Sequence, residues 1–271
     1  MKIQIPKSFM GIDGEEALER IVNRSLANTG ASTQPVFSGF PANFDCRKYI
    51  AVPQHDTVIA TEKTLTNLDM FDTFEKLKEQ GLYMPSIAEF MSHWNNVREA
   101  SEGKRKLVYA DGKTVDNIEA KGLWNYMSST DRSLFNNDPC WTWLNAYFDK
   151  GNDGRMQMKT DLQVKVDKGK KYLDGKSALL ETCSSANGGF VRLNFNRQGL
   201  PVVDDKRKNV VYEQGENLYF WKPVEGRVAG FYADSGWAGL DCNGGPSSRN
   251  SSLGVFACAE GTAPKKSGGS K

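Results

Sequence analysis

The stretch Arg227–Cys258, RVAGFYADSGWAGLDCNGGPSSRNSSLGVFAC, decides how the chain folds. From Gly230 its residue types alternate. Phe231, Ala233 and Ser235 are small or apolar on one parity, and Gly230, Tyr232, Asp234 and Gly236 fill the other. A period of two is that of a strand with two different faces. The parity slips by one residue at Gly236-Trp237 and resumes, with Ala238, Leu240 and Cys242 on one face and Gly239, Asp241 and Asn243 on the other. Such a slip marks a tight turn or a bulge. As a turn, it makes a hairpin with one scaffold face directed at a core.

The other face departs from an ordinary exposed strand. Lys, Glu, Gln and Met are absent from Val228 to Cys258, although 25% of the whole chain is charged. Long charged side chains normally cover apolar stems on exposed strands. Here the outward positions carry Gly, Tyr, Asp, Trp, Asn, Ser and Arg. Antibody-type binding surfaces use a similar palette, because Tyr and Trp give contact area at low entropy cost and Ser, Gly and Asn give adaptable hydrogen bonding. A Gly/Ser-rich turn region of a β domain has a similar composition, so composition alone leaves both readings open.

The frame R-V-A-x-F-x-A-x-S-x-x-A-x-L-x-C-x-x-x-P-S-x-x-x-S-x-L-G-V, Arg227 to Val255, resembles the C-terminal variable region of proteins diversified by diversity-generating retroelements. The likeness is closest to those of archaea and their viruses. In that family adenines of a template are mutated, so that Asn codons give Gly, Asp, Tyr, Ser, Arg or Asn but never Lys, Glu, Gln, Met or Trp. The resemblance therefore implies the depletion seen here. Trp237 departs from the Asn-codon rule and needs another adenine-containing template codon.

The resemblance implies an α+β, C-type-lectin-like domain that presents its variable residues to a ligand. Those residues are Gly230, Tyr232, Asp234, Gly236, Trp237, Gly239, Asp241, Asn243, Gly244, Gly245, Ser248, Arg249, Asn250 and Ser252. Tyr232 and Trp237 are the expected anchors, since aromatic side chains dominate interfaces, and the glycines among the fourteen imply a shallow or concave centre. The implied function is binding of a protein or glycan ligand on a host, partner-cell or other surface, without a cofactor and without catalysis. The alternative is an enzyme on the same fold, similar to formylglycine-generating oxidases, using Cys242 and Cys258 with copper. Against it, Cys242 sits on the scaffold parity and no general base or metal-ligand cluster accompanies it.

The remaining sequence sets bounds. The chain has 271 residues, 39% of them hydrophobic and 11% aromatic, enough for a substantial core. A net charge of +2 argues against a nucleic-acid partner. No apolar run approaches a membrane span, and Met1–Ile5 does not open a signal peptide, so a soluble protein without membrane insertion is expected. Any surface display then requires a partner. Five cysteines, Cys46, Cys140, Cys183, Cys242 and Cys258, show no CxxC pair. Neither a zinc site nor a dense disulfide framework is expected; Cys242 and Cys258 approach each other if the last strand returns beside the hairpin, and otherwise read as two small buried residues.

In chain order, Asp13 to Glu16 has the pattern of a capping box opening a helix through Leu18, Ile21, Val22 and Leu26, with Gly30 ending it. Strands are expected at Cys46–Val52 and Thr57–Leu65, and helices at Phe71–Gln80 (burying Phe71, Phe74 and Leu77), after Pro85, and at about Val115–Met127. The middle helix has the clearest start, Ser86 with Glu89, Met84 placed to staple on Phe90, and a stripe of Ile87, Phe90, Met91, Trp94 and Val97. His93 and His55 read as surface residues. The last helix is expected to bury Val115, Ile118, Trp124 and Met127. Pro139–Phe148 reads as a core strand with Trp141 and Trp143 inside it. Asp149–Gly154 reads as a hairpin turn and fails as a calcium loop, since Gly and Thr160 stand where ligands belong. Further strands are expected at Leu179–Cys183, Phe190–Phe195, Asn209–Tyr212 and Asn217–Trp221. The expected organisation is an N-terminal portion 1–65, a lectin-like domain 66–260 with its variable region at 227–258, and a disordered tail 261–271.

Overall fold

A computed structural model describes residues 8–9, 12–13, 40, 44–128, 131–234 and 236–260. The chain divides into two units, Met1–Pro35 and Val36–Lys271. In the first, β1 (Ser8–Phe9) and β2 (Ile12–Asp13) pair antiparallel. Asp13 thus stands in a strand. The helix expected to follow it, and the 261–271 tail, lie outside the described residues.

The second unit is mixed α+β. Its elements begin with β3 (Tyr49–Val52), β4 (Thr57–Ala60), α1 (Met70–Glu79), α2 (Ile87–Ser101), α3 (Asn117–Met127), β5 (Cys140–Lys150) and β6 (Met156–Asp167). They continue with β7 (Lys170–Leu179), β8 (Asn187–Arg192), β9 (Asn217–Trp221), β10 (Arg227–Asp234), β11 (Trp237–Gly244), β12 (Leu253–Gly254) and β13 (Cys258–Glu260). An eight-stranded sheet runs β7-β6-β5-β10-β11-β9-β8, with β12 added parallel to the start of β5. A smaller sheet runs β13-β4-β3.

Local chemistry sets the ends of these elements. Asp69 caps α1 by accepting from the Asp72 amide at 2.9 Å. At α2 the capping box forms as expected, the Glu89 amide donating to Ser86 Oγ at 3.2 Å and the Ser86 amide to Glu89 Oε2 at 2.7 Å. Lys168 (φ 47°) and Gly169 (φ 78°) both adopt the left-handed region, the pairing that a two-residue hairpin between β6 and β7 requires.

The expected parity of 230–243 is realised among the described residues; Ser235, expected on the scaffold face, lies outside them. Phe231, Ala233, Ala238, Leu240 and Cys242 are fully buried, in one cluster with Leu144 and Phe148 of β5 and with Phe90 and Trp94 of α2. The Phe231 ring lies 5.0 Å from Phe90, and Trp94 meets Trp124 of α3 edge-on at 4.8 Å. α1 covers part of the opposite sheet face, where Met70 and Leu77 join Trp143, Leu162, Leu173 and Val228. The remainder of that face, towards the β10–β11 turn, holds the site described below.

Several expectations are corrected. His93 is fully buried in α2. Ile118 is 80% exposed, and Ala120, Leu123 and Tyr126 take its place in the α3 stripe. In α1, Met70 and Thr73 are buried with Leu77, leaving Phe71 and Phe74 partly covered. Met84 packs with Met70 and Leu77, whereas Phe90 belongs to the main core. Residues 46–48 form a 3-10 turn ahead of β3, and 209–212 form no strand. The long β6–β7 hairpin was missed although β6 carries a period of two in Met156, Met158, Leu162, Val164 and Val166. Cys258 pairs with Ile59 in the small sheet and does not return beside the hairpin. All five cysteines are unpaired.

Candidate functional site

β10 and β11 meet in the register Asp234↔Trp237, Tyr232↔Gly239 and Gly230↔Asp241. Cross-strand partners share a face of the sheet, so these six residues lie together. Their neighbours extend the face. Tyr232 and Gly230 stand opposite Trp141 and Trp143 of β5, and the parallel strand β9 sets Tyr219 beside Gly239 and Trp221 beside Asp241. One row across the sheet therefore reads Trp141, Tyr232, Gly239, Tyr219, and the next reads Trp143, Gly230, Asp241, Trp221.

The two hairpin glycines make room for the rings. A Cβ on Gly239 would stand 2.7 Å from Trp237 Cζ3, and one on Gly230 would stand 3.1 Å from Tyr232 Cε2. Each large ring thus lies over its own strand's glycine two residues away. Gly230 and Gly239 were expected on the outward face and keep that side of the sheet, but both are buried beneath these rings.

Between the rings is a cavity of about 320 Å³ lined by Trp141, Trp221, Tyr232, Asp234, Trp237 and Asp241. Ring contacts brace its walls, Trp141 with Tyr232 at 5.4 Å on one side and Trp237 with Tyr219 at 5.0 Å and Trp221 at 5.6 Å on the other. Such T-shaped and tilted pairs are the favoured geometries for aromatic side chains. Larger depressions, of about 740 and 840 Å³, are lined by residues outside Arg227–Cys258.

The two carboxylates differ in their surroundings. Asp234 Oδ1 accepts from Arg132 Nη1 at 2.9 Å and is charge-balanced by it. Asp241 accepts one hydrogen bond, at 2.7 Å from the Asn243 amide, and forms no ion pair among the described residues. Burial pushes the Asp241 carboxyl above the usual carboxylate range, against the opposing pull of the Asn243 amide and the Arg227 charge. Burial likewise raises the Tyr232 phenol, and the Asp241 charge raises it further.

Of the fourteen expected positions, Tyr232, Asp234, Trp237 and Asp241 line the cavity, with Gly230 and Gly239 beneath the rings. Gly236 forms the turn at φ 91°. The others follow a different course. Asn243 is exposed, and a Cβ on Gly244 would stand 3.2 Å from the Val228 carbonyl oxygen. The Ser248 amide donates to the Gly245 carbonyl at 3.0 Å. Arg249 Nη2 bridges Asp69 and Asp72 at 2.7 and 2.5 Å, pinning this loop to the start of α1. Asn250 Oδ1 accepts from the Ser252 amide at 2.8 Å, and Lys63 Nζ donates to the Ser252 carbonyl. Arg249 therefore spends its charge within the chain.

Trp141 and Trp221 line the cavity without having been expected there. Trp141 was read as core, a reading that holds for Trp143, which is 1% exposed. The available signal was alternation in N-L-Y-F-W, where buried Leu218 and Phe220 leave Tyr219 and Trp221 on the opposite face. The cysteines of the enzymatic alternative occupy different sheets, and burial raises the thiols of both Cys242 and Cys258 well above their ordinary value. No described helix is long and apolar enough to cross a membrane. Comparison of the chain with protein-family models, with curated proteins and with solved structures gives no match.

Proposed function

We propose that this protein is a non-enzymatic ligand-binding protein of the retroelement-diversified type, with Arg227–Val255 as its hypervariable region on a C-type-lectin-like scaffold. The observation that carries the reading is the division of labour in one hairpin. Residues fixed by the family frame, Phe231, Ala233, Ala238, Leu240 and Cys242, are fully buried, while the variable positions Tyr232, Asp234, Trp237 and Asp241 line the cavity. Diversity at such positions alters the surface without reaching the core. The cavity is of a size that takes small groups, so the ligand inserts one side chain or head group and spreads over the surrounding loop.

The test is the DNA flanking the gene. A near-copy of the Arg227–Val255 coding stretch, differing only at adenines of the copy and accompanied by a reverse transcriptase gene, is the expected result. A flanking sequence without such a copy would remove the diversification from this reading.

A further inference from the structure

We infer that the cavity at the β10–β11 hairpin takes an alkylated ammonium group, a quaternary or methylated amine borne by the ligand. The inference rests on the reading of this face as a ligand-binding surface and names the chemistry of its centre.

The lining consists of four aromatic side chains, Trp141, Trp221, Tyr232 and Trp237, and two carboxylates, Asp234 and Asp241. No cationic or amide side chain is among these lining residues. A saccharide site needs donors as well as acceptors around the hydroxyls, and the carboxylate, when ionised, only accepts. The lining also carries donors, three indole N–H groups and the Tyr232 hydroxyl, of which Trp141 Nε1 is shielded from solvent with no partner among the described residues, so charge and not hydrogen-bonding capacity separates a cation from a saccharide here. An anionic ligand would face the Asp241 carboxylate, which has no ion pair among the described residues. A cation instead finds ring faces with a negative quadrupole and a carboxylate lacking an ion pair, and aromatic cages of this composition recognise quaternary ammonium groups.

Asp241 is the focus of that complementarity. Asp234 is already paired with Arg132 at 2.9 Å, whereas Asp241 stands between Gly230 and Trp221 in its row with a single backbone donor. An alkylated ammonium suits this setting better than a primary one. Its methyl groups fill space between rings, and it carries no N–H bonds that a wall of rings would leave unmet.

The experiment is a titration of the full chain at constant ionic strength, followed by tryptophan emission and calorimetry. The probes are tetramethylammonium, choline, the neutral choline isostere 3,3-dimethylbutan-1-ol, and methyl glucoside. Saturable binding of both cations is expected, with the isostere at least about tenfold weaker, a gap that a desolvated cation–π site supplies. Asp241→Asn is expected to weaken choline at least about tenfold while leaving the isostere unchanged. Trp237→Ala is expected to weaken both, and should it lower stability, Asp241→Asn alone carries the test. Equal binding of choline and its isostere, preference for the glucoside, or no saturable response to either cation overturns the inference. Those outcomes leave the flanking-DNA result untouched, and a missing template copy leaves the titration untouched, so the two readings fail separately.

Discussion

The ring of Trp237 lies over Gly239, with Trp237 Cζ3 2.7 Å from the position a Cβ would take and the Tyr219 carbonyl oxygen 2.9 Å from it. Gly239→Ala therefore forces both the indole and the β9 backbone to move. The expected cost is about 1–3 kcal/mol of stability, in the range of overpacked sites, with a change in tryptophan emission. Gly236→Ala meets no atom within 4 Å and pays only for its φ of 91°, about 1–2 kcal/mol, with emission unchanged. Urea unfolding of the two variants, read by fluorescence and circular dichroism, separates ring displacement from backbone strain.

His93 makes stability fall on the acid side. Its imidazole is fully buried, neither ring nitrogen has a partner among the described residues, and burial depresses its pKa from 6.5 to about 4. The unfolded chain then binds the extra proton first. Stability drops as pH falls from 6.5 towards 4, by on the order of 3 kcal/mol. His93→Leu removes the titrating group, and its acid unfolding midpoint is expected at lower pH than that of the parent. An unchanged midpoint would show that water or a shifted helix satisfies the ring.

Asp241 has the opposite sign. Its folded pKa is raised, so the native state holds the proton more tightly than the unfolded chain, and stability falls as pH rises from 3.8 into the raised folded range. Asp241→Asn is expected to match the parent in Tm at the acid end and to exceed it at neutral pH. A Tm difference independent of pH would place the effect in packing instead of charge.

Arg132 balances Asp234 across 2.9 Å, both side chains about one third exposed. Arg132→Ala is expected to lower stability by no more than about 1 kcal/mol. The same change leaves a second uncompensated carboxylate in the cavity and is expected to tighten choline binding several-fold, a gain that added sodium chloride erodes. Calorimetry at two salt concentrations reads both effects.

The hairpin was legible because its two faces obey different rules. The buried parity of Phe231, Ala233, Ala238, Leu240 and Cys242 is a packing requirement, and a period of two records it directly. α2 was legible for a similar reason, with Ser86, Glu89 and five apolar positions agreeing on one start and one face. His93 was legible by spacing, three residues after Phe90 and four before Val97, and was misread because histidine is polar. Ile118 was misread: its i+3, i+4 and i+7 neighbours are Lys121, Gly122 and Asn125, whereas Ala120, Leu123, Trp124 and Met127 keep the helical spacing of the buried face. The Trp141 wall of the cavity was hidden for another reason. Trp141 and Trp143 alternate identically in sequence, and only the position of α1 over one of them separates wall from core.

The glycine beneath each ring has a statistical consequence. Tyr232 occupies the volume that a side chain at Gly230 would claim, and Trp237 occupies that at Gly239. Residue sizes at 230 and 232, and at 237 and 239, are therefore not independent choices. Added bulk at one member of a pair has to be matched by bulk lost at the other.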